Sequence, residues 1–171
     1  MRRSRSVQQN RVPALLALVQ LGYAHWFFGN LYEGVVKVPE LLSKVNALEG
    51  DDRPPMSVLS SGSPVRYYLP GIPVVIGATL LAVLGGWRFR RERLWFAFLA
   101  VSTLFGVVTT AYLVRNVNLK LVYSCQRITP VDRAELLKVW YRGNLLRLIS
   151  SGSAWVIVSW LASRFRQHLG K

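Results

Sequence analysis

The chain has 171 residues, of which 51% are hydrophobic and only 18% are charged. Disordered chains are poor in apolar residues and rich in charge, so this composition excludes an intrinsically disordered protein. The formal net charge is +14, which in a soluble protein would suggest nucleic-acid binding. Here the apolar runs are too long for a soluble core, so we expect the basic residues to face a lipid bilayer and expect no nucleic-acid partner.

Three runs free of Asp, Glu, Lys and Arg predict membrane-spanning helices, at 12–32, 67–87 and 94–114. Each is about 31 Å long as a helix, which matches the roughly 30 Å hydrocarbon core of a bilayer. A fourth, shorter run at 148–163 reaches a spanning length when it is extended back to Gly143, which includes Arg147. The sequence therefore predicts an all-α, single-domain integral membrane four-helix bundle. Its predicted spans are 12–36, 67–87, 94–118 and 141–163.

The basic residues predict the orientation of this bundle. They are dense in the N-terminal tail, in the turn 88–93 and in the C-terminal tail. The positive-inside rule then places both termini and this turn in the cytoplasm. The first apolar run is longer than the 7–15 residues of a signal-peptide core, so we expect an uncleaved first helix. The expected location is the cell membrane, as a multi-pass protein.

The two non-cytoplasmic connections differ in character. The first, 33–66, holds a loop signal at 60–64, and the proline- and glycine-rich stretch 70–73 predicts a bend at the start of the second span. In the second connection, Thr129 is a predicted helix N-cap with Pro130 at the first helical position. We expect the third and fourth helices to continue beyond the bilayer and to meet near this point.

Polar residues in the first span are candidate site residues, because ionisable groups within a membrane cost free energy and are usually functional. At about 100° per residue, His25, Tyr32 and Glu33 fall on one arc of the helix. This arc predicts a polar face directed into the bundle. Alternatively, His25 and Tyr32 hydrogen-bond to a neighbouring helix, and Glu33 lies at the interface with a basic partner.

The third and fourth helices carry polar residues at a similar inferred depth. These are Tyr112, Asn116 and Asn118 on the third helix, and Trp140, Asn144, Arg147 and Ser151 on the fourth. The second group follows the spacing i, i+4, i+7 and i+11, which places its members on one stripe. An aromatic wall, an amide and a cation on one stripe suit an anionic or phenolic ligand. The alternative is that the arginine alone extends to the lipid headgroups.

We expect these stripes to converge on one cavity in the outer half of the bundle. The predicted members are His25, Tyr32, Glu33, Tyr112, Asn116, Trp140, Asn144 and Arg147. Arg147 requires an anionic partner at that depth, and Glu33 is the carboxylate at the span boundary on that side. The sequence thus predicts a Glu33–Arg147 ion pair.

The pattern of the third and fourth spans resembles that of the small four-span membrane proteins grouped with the anthrone oxygenases. The residues that carry the resemblance are Asn116 and Asn118, followed by the W-x-x-x-N-x-x-R pattern of Trp140, Asn144 and Arg147. The segments 29–33 (GNLYE) and 63–70 (SPVRYYLP) resemble a bacterial branch of that family. The resemblance implies four helices with a polar pocket near the outer face. It also implies conversion of an anthrone to an anthraquinone by molecular oxygen without an identified cofactor.

Cofactor-free oxygenation requires a base that removes a substrate proton and a cation that stabilises the enolate. His25 or Glu33 is the candidate base, and Arg147 is the candidate cation. The candidate substrate-binding residues are Tyr32, Tyr112, Asn116, Asn118, Trp140 and Asn144. Two histidines and one cysteine are too few for a His- or Cys-rich metal site, so no metal ligand and no cofactor are assigned.

Two other functions fit the same residues. One is a non-enzymatic binder or transporter of a small amphipathic molecule, and the other is a structural membrane subunit. A bound small aromatic or amphipathic ligand would favour the oxygenase and the binder over the structural subunit. The sequence carries no signal for the oligomeric state.

Overall fold

A computed structural model of the chain describes residues 11–40, 64–69, 71–121 and 129–169. The helices in chain order are α1 (Arg11–Tyr32), α2 (Pro64–Tyr68), α3 (Gly71–Gly86), α4 (Arg93–Leu113), α5 (Leu119–Leu121) and α6 (Pro130–Leu169). Two π-helical turns, Glu33–Lys37 and Val114–Asn118, continue α1 and α4 without a break. The all-α prediction is confirmed for the described residues.

Three helical segments are long and apolar enough to cross a membrane, at Val12–Glu40, Arg93–Leu121 and Pro130–Gln167. This indicates a membrane protein. The predicted second span differs, because α3 has 16 residues and is about 24 Å long. The helix is interrupted between Tyr68 and Gly71, where the sequence predicts a bend. The described helix is therefore shorter than the predicted span 67–87.

Helix α6 begins where the sequence predicts. The Asp132 backbone N–H donates to Thr129 Oγ1 at 3.1 Å, and the Thr129 hydroxyl donates to Asp132 Oδ2 at 2.7 Å. These two bonds satisfy an otherwise unpaired N–H of the first turn and fix the start of the helix. The 40-residue helix is about 60 Å long, twice the thickness of the hydrocarbon core. The segment 41–63, which holds most of the predicted loop, and Cys125 lie outside the described residues.

Helices α1 and α6 pack antiparallel along most of their length. Gln20, in the first half of α1, donates to Ser159 near the end of α6, and the end of α1 bonds to the first half of α6 through Asn144. The apolar core of the bundle includes the buried residues Val12, Leu16, Val19, Tyr23 and Trp26 on α1, and Ala154, Val158, Leu161 and Phe165 on α6. Their spacing alternates between three and four residues, as in left-handed helix packing.

A hydroxyl network joins α1 to α3 and α4 in the middle of the molecule. The Tyr23 hydroxyl lies 2.5 Å from Thr103 Oγ1 and 3.4 Å from Thr79 Oγ1. Thr103 in turn donates to the Leu99 carbonyl one turn earlier in α4. These bonds satisfy three buried hydroxyls in an apolar core, and they set the rotation of α1 about its axis.

Candidate functional site

Glu33 and Arg147 form an ion pair between the end of α1 and the first half of α6. We call this region of the molecule the Glu33 end. Arg147 Nη1 lies 3.2 Å from Glu33 Oε2, and the two side chains are only 3% and 10% exposed. Glu33 opens the first π turn, and Arg147 lies on the buried stripe of α6. The predicted ion pair is confirmed. Its burial makes each charge dependent on the other, because an unpaired buried charge is costly.

Asn30 lies at the centre of this group, although the sequence pattern does not predict it. Its side chain is fully buried. Its Oδ1 accepts hydrogen bonds from Arg147 Nη2 and from the Tyr68 hydroxyl, the latter at 3.3 Å. Its backbone carbonyl accepts a bond from Asn144 Nδ2 at 3.0 Å. One residue of α1 thus binds three side chains from α2 and α6.

Tyr68 at the end of α2 covers the group from a third side. Its buried ring lies below the Arg147 guanidinium, with Cζ 5.7 Å from the ring centroid, at which distance a cation–π attraction operates. We refer to Asn30, Glu33, Tyr68, Asn144 and Arg147 as the polar cluster.

Two glycines allow Tyr68 and Asn144 to approach the backbone of α1 and of the first π turn closely. A Cβ atom on Gly29 would lie 2.8 Å from the Tyr68 hydroxyl oxygen and 2.9 Å from a carbon of its ring. A Cβ atom on Gly34 would lie 2.9 Å from Asn144 Nδ2. Both distances are shorter than van der Waals contact, so the segment GNLYEG admits these partners only because glycine stands at each end.

The polar cluster has hydrogen-bonding capacity that the described residues do not use. Within the described part of the chain, Asn30 Nδ2, Asn144 Oδ1 and Arg147 Nε are buried and have no hydrogen-bond partner. Leaving a buried donor or acceptor unpaired costs about 1–3 kcal/mol, and such groups are rare in native proteins. The cluster therefore offers two donors and one acceptor to a further polar group.

Four predicted site residues are not members of the polar cluster, although the His25 ring contacts that of Tyr68 with centroids 6.4 Å apart. His25 is exposed and stacks on Tyr67, with ring centroids 4.7 Å apart and its Nδ1 3.4 Å from the Tyr67 hydroxyl. Tyr32 and Tyr112 are 55% and 54% exposed. Asn116 donates to the backbone carbonyl of Tyr112 one turn earlier. Their convergence on one shared cavity stays a prediction.

The buried face of α1 explains why Asn30 rather than His25 belongs to the polar cluster. The buried stripe passes through Tyr23, Trp26 and Asn30, and at 100° per residue His25 and Tyr32 point about 140–160° away from Asn30. Polar side chains near a span end also occur on exposed faces, and of the predicted arc only Glu33 lies in the polar cluster. Extension of the apolar stripe from Val12 by steps of three and four residues reaches Asn30 and Glu33.

Trp140 and Asn118 are likewise not members of the polar cluster. Trp140 is buried, as its place on the α6 stripe predicts, and it packs in a separate apolar cluster with Leu113 and Val117. Asn118 closes the second π turn and is half-buried. Ser151, one turn beyond Arg147, donates to the Arg147 carbonyl at 2.7 Å. The α6 stripe is thus buried throughout, with its polar members at the Glu33 end.

Tyr68 carries no sequence signal comparable to that of Asn30, because its position depends on how α2 packs against α1.

Within residues 11–40, 64–69, 71–121 and 129–169, no group of three or more His, Cys, Asp and Glu side chains is placed to hold a metal ion. Comparisons of the chain with protein-family models, with curated proteins and with solved structures each gave no match. The function is therefore inferred from the chemistry of the polar cluster.

Proposed function

We propose that the chain is a four-span protein of the cell membrane, with both termini in the cytoplasm, that binds a small ligand at the polar cluster. Three helices have spanning length, and α3 supplies the fourth crossing. Its 16 residues are short for a bilayer, but a short span is accommodated by local thinning of the membrane.

The end of the molecule opposite the polar cluster supports this orientation. It holds the basic turn 88–93 and the basic end of α6. Trp87, Trp95 and Trp160 lie next to these basic segments in the sequence. Trp95 and Trp160 lie with ring centroids 4.6 Å apart, and the Arg164 guanidinium lies 5.2 Å from the Trp160 ring centroid. Tryptophans beside arginines are typical of the cytoplasmic membrane interface.

The observation that carries the binding function is the unused hydrogen-bonding capacity beside the buried ion pair. A purely structural ion pair gains most when every donor and acceptor around it is paired, because a partly satisfied buried network is costly. Asn30 and Asn144 each use one end of the amide and leave the other end free. A bound polar molecule would complete the network.

The test is mass spectrometry of small molecules extracted from the protein purified in lipid nanodiscs. We expect a molecule enriched in the wild-type sample and depleted in Asn144→Leu, which removes the free acceptor but retains the ion pair. The matched control is Ser163→Ala, since Ser163 is exposed and bonds to the Trp160 carbonyl near the other end of α6. Equal extracts from wild-type and Asn144→Leu protein would contradict the proposal.

A second candidate function is cofactor-free oxygenation of a small aromatic or polyketide-type substrate, as the resemblance to the anthrone oxygenases suggests. The observation that favours it is that the Glu33 carboxylate lies beside a fixed cation, Arg147, in a buried site. Glu33 is the better candidate base than His25, because His25 lies outside the polar cluster. Arg147 and Tyr68 would stabilise the enolate oxygen.

The chemistry balances without a cofactor. Glu33 takes a proton from the substrate methylene, and the resulting carbanion forms a C–O bond to dioxygen. The peroxide anion takes up the proton, and loss of water breaks the O–O bond and leaves a ketone. One methylene and one dioxygen molecule thus give one carbonyl and one water.

Oxygen uptake with an anthrone as substrate separates this function from simple binding. We expect one mole of dioxygen consumed for each mole of quinone formed, and a loss of this activity in Glu33→Gln, with Ser163→Ala as the control. Absence of oxygen uptake by the wild-type protein would contradict oxygenation and leave the binding function in place.

A further inference from the structure

We infer that the polar cluster selects an electrically neutral ligand that presents a carbonyl oxygen beside an O–H or N–H donor. This inference rests on the proposed function, that the polar cluster binds a small ligand. Two independent features carry it, which are the charge balance of the cluster and the chemical identity of its unpaired atoms.

The charges of the polar cluster already cancel. Glu33 and Arg147 contribute one negative and one positive charge at 3.2 Å, and the other three members are two amides and a phenol. An anionic or cationic ligand would leave one uncompensated charge in a buried site, which is strongly unfavourable. The basic side chains Lys37, Arg115 and Arg142 are exposed or half-buried and are not members of the polar cluster.

The amide orientations are fixed by the bonds that each amide already makes. Asn30 uses Oδ1 to accept from Arg147 and Tyr68, so its NH₂ group is the free end. Asn144 uses its NH₂ group to bind the Asn30 carbonyl, so its Oδ1 is the free end. Together with Arg147 Nε, the cluster presents two donors and one acceptor from side chains that are at least nine-tenths buried.

A ligand that completes the network therefore needs both an acceptor and a donor. A carboxylate has acceptors only, and an ammonium or amidinium group has donors only. A neutral amide, or a ketone with an adjacent hydroxyl, offers the carbonyl to Asn30 and Arg147 and the donor to Asn144. Charge balance and hydrogen-bond pattern thus select the same class of molecule.

Four monosubstituted benzenes of nearly equal size test the inference. They are benzamide, benzoate, benzamidinium and acetophenone, with binding measured by equilibrium dialysis against nanodiscs of zwitterionic lipid, and with empty nanodiscs as the blank. We expect benzamide to bind at least tenfold more tightly than benzoate or benzamidinium. Acetophenone, which lacks the donor, should bind less tightly than benzamide.

Two variants of the polar cluster should change the order of probe affinities in different, specific ways. Glu33→Gln leaves a net positive charge, so we expect the preference to move from benzamide to benzoate. Asn144→Leu removes the free acceptor, so we expect benzamide to lose its advantage over acetophenone while acetophenone binding is retained. Ser163→Ala should keep the wild-type order. If Glu33→Gln does not fold, Asn144→Leu still tests the hydrogen-bond pattern.

The outcomes separate this inference from the proposed function. Wild-type protein that binds benzoate or benzamidinium as tightly as benzamide would overturn selection for a neutral ligand and leave ligand binding intact. Failure of all four probes to bind, with an endogenous molecule still extracted from the protein, would likewise overturn the inference alone. Failure of the probes together with an empty extract would mean that only water occupies the cluster, and both proposals would fall.

Discussion

Nη2 of Arg147 donates a hydrogen bond to Oδ1 of Asn30, across 117 positions of the sequence. The same oxygen accepts from Tyr68, so Asn30 is the shared acceptor for side chains of two other helices. The contact joins the last turns of α1 to the first half of α6. Because Arg147 also pairs with Glu33, the loss of any one of these residues should weaken the contacts of the others.

The ion pair should show strong energetic coupling. Glu33→Ala and Arg147→Ala should each lower the free energy of unfolding by about 3–5 kcal/mol, because each leaves a buried charge without its partner. The double variant should cost clearly less than the sum of the two. Reversible unfolding in mixed detergent micelles measures this cycle.

An exposed pair on the same helix is the matched control. Glu135 and Lys138 lie 2.6 Å apart with side chains 63% and 62% exposed. Their coupling should be at most about 1 kcal/mol, since solvent screens exposed charges. Additive effects for the buried pair, or equal coupling in both cycles, would contradict the prediction.

Loss of the Asn30 side-chain acceptor should lower the free energy of unfolding more than loss of the Tyr68 hydroxyl. Asn30→Leu removes the acceptor of two bonds and leaves buried donors unpaired, so we expect a loss of about 1–3 kcal/mol for each donor. Tyr68→Phe removes one donor and keeps the ring below Arg147, so we expect a loss of about 0.5–1.5 kcal/mol. The same unfolding assay tests the order, and a larger effect of Tyr68→Phe would show that Asn30 is not the central acceptor.

Gly29 should tolerate no side chain, in contrast to Gly77. The added methyl group of Gly29→Ala would overlap the Tyr68 ring, so we expect a loss of about 1–3 kcal/mol, as for other overpacked sites. A Cβ atom on Gly77 meets no heavy atom within 4 Å, and alanine favours a helix by roughly 0.5–1 kcal/mol. Gly77→Ala should therefore be neutral or stabilising, and a comparable loss in both variants would contradict the close approach of Tyr68 to α1.

The proposed orientation is tested by cysteine labelling in intact cells. In a Cys125→Ser background, a cysteine at Ser61 should react with a membrane-impermeant maleimide added outside. A cysteine at Ser4 should react only after the membrane is permeabilised. Labelling of both positions from the same side would contradict the four-span arrangement.

Several features of the fold follow from local sequence alone. Hydrophobic length predicts the spans that begin at Val12 and Arg93, since crossing a bilayer depends on an unbroken apolar run. The Thr129 N-cap depends only on residues within one helical turn. The stripe through Asn144 and Arg147 is recognisable because polar side chains stand out at regular spacing in an apolar helix. These predictions needed no knowledge of neighbouring helices.

The tertiary structure decided which face of α1 is buried. It also decided that Asn30 and Tyr68 surround the Glu33–Arg147 ion pair. His25 and Asn30 are both polar and near the same depth, yet His25 is exposed and Asn30 is fully buried. In water, an apolar stripe identifies the buried face of a helix. In lipid, the exposed face is apolar as well, so helix packing depends on shape and on interhelical hydrogen bonds that only the neighbours define. The position of the Tyr68 ring against the Arg147 guanidinium, brought there by α2, is decided in the same way.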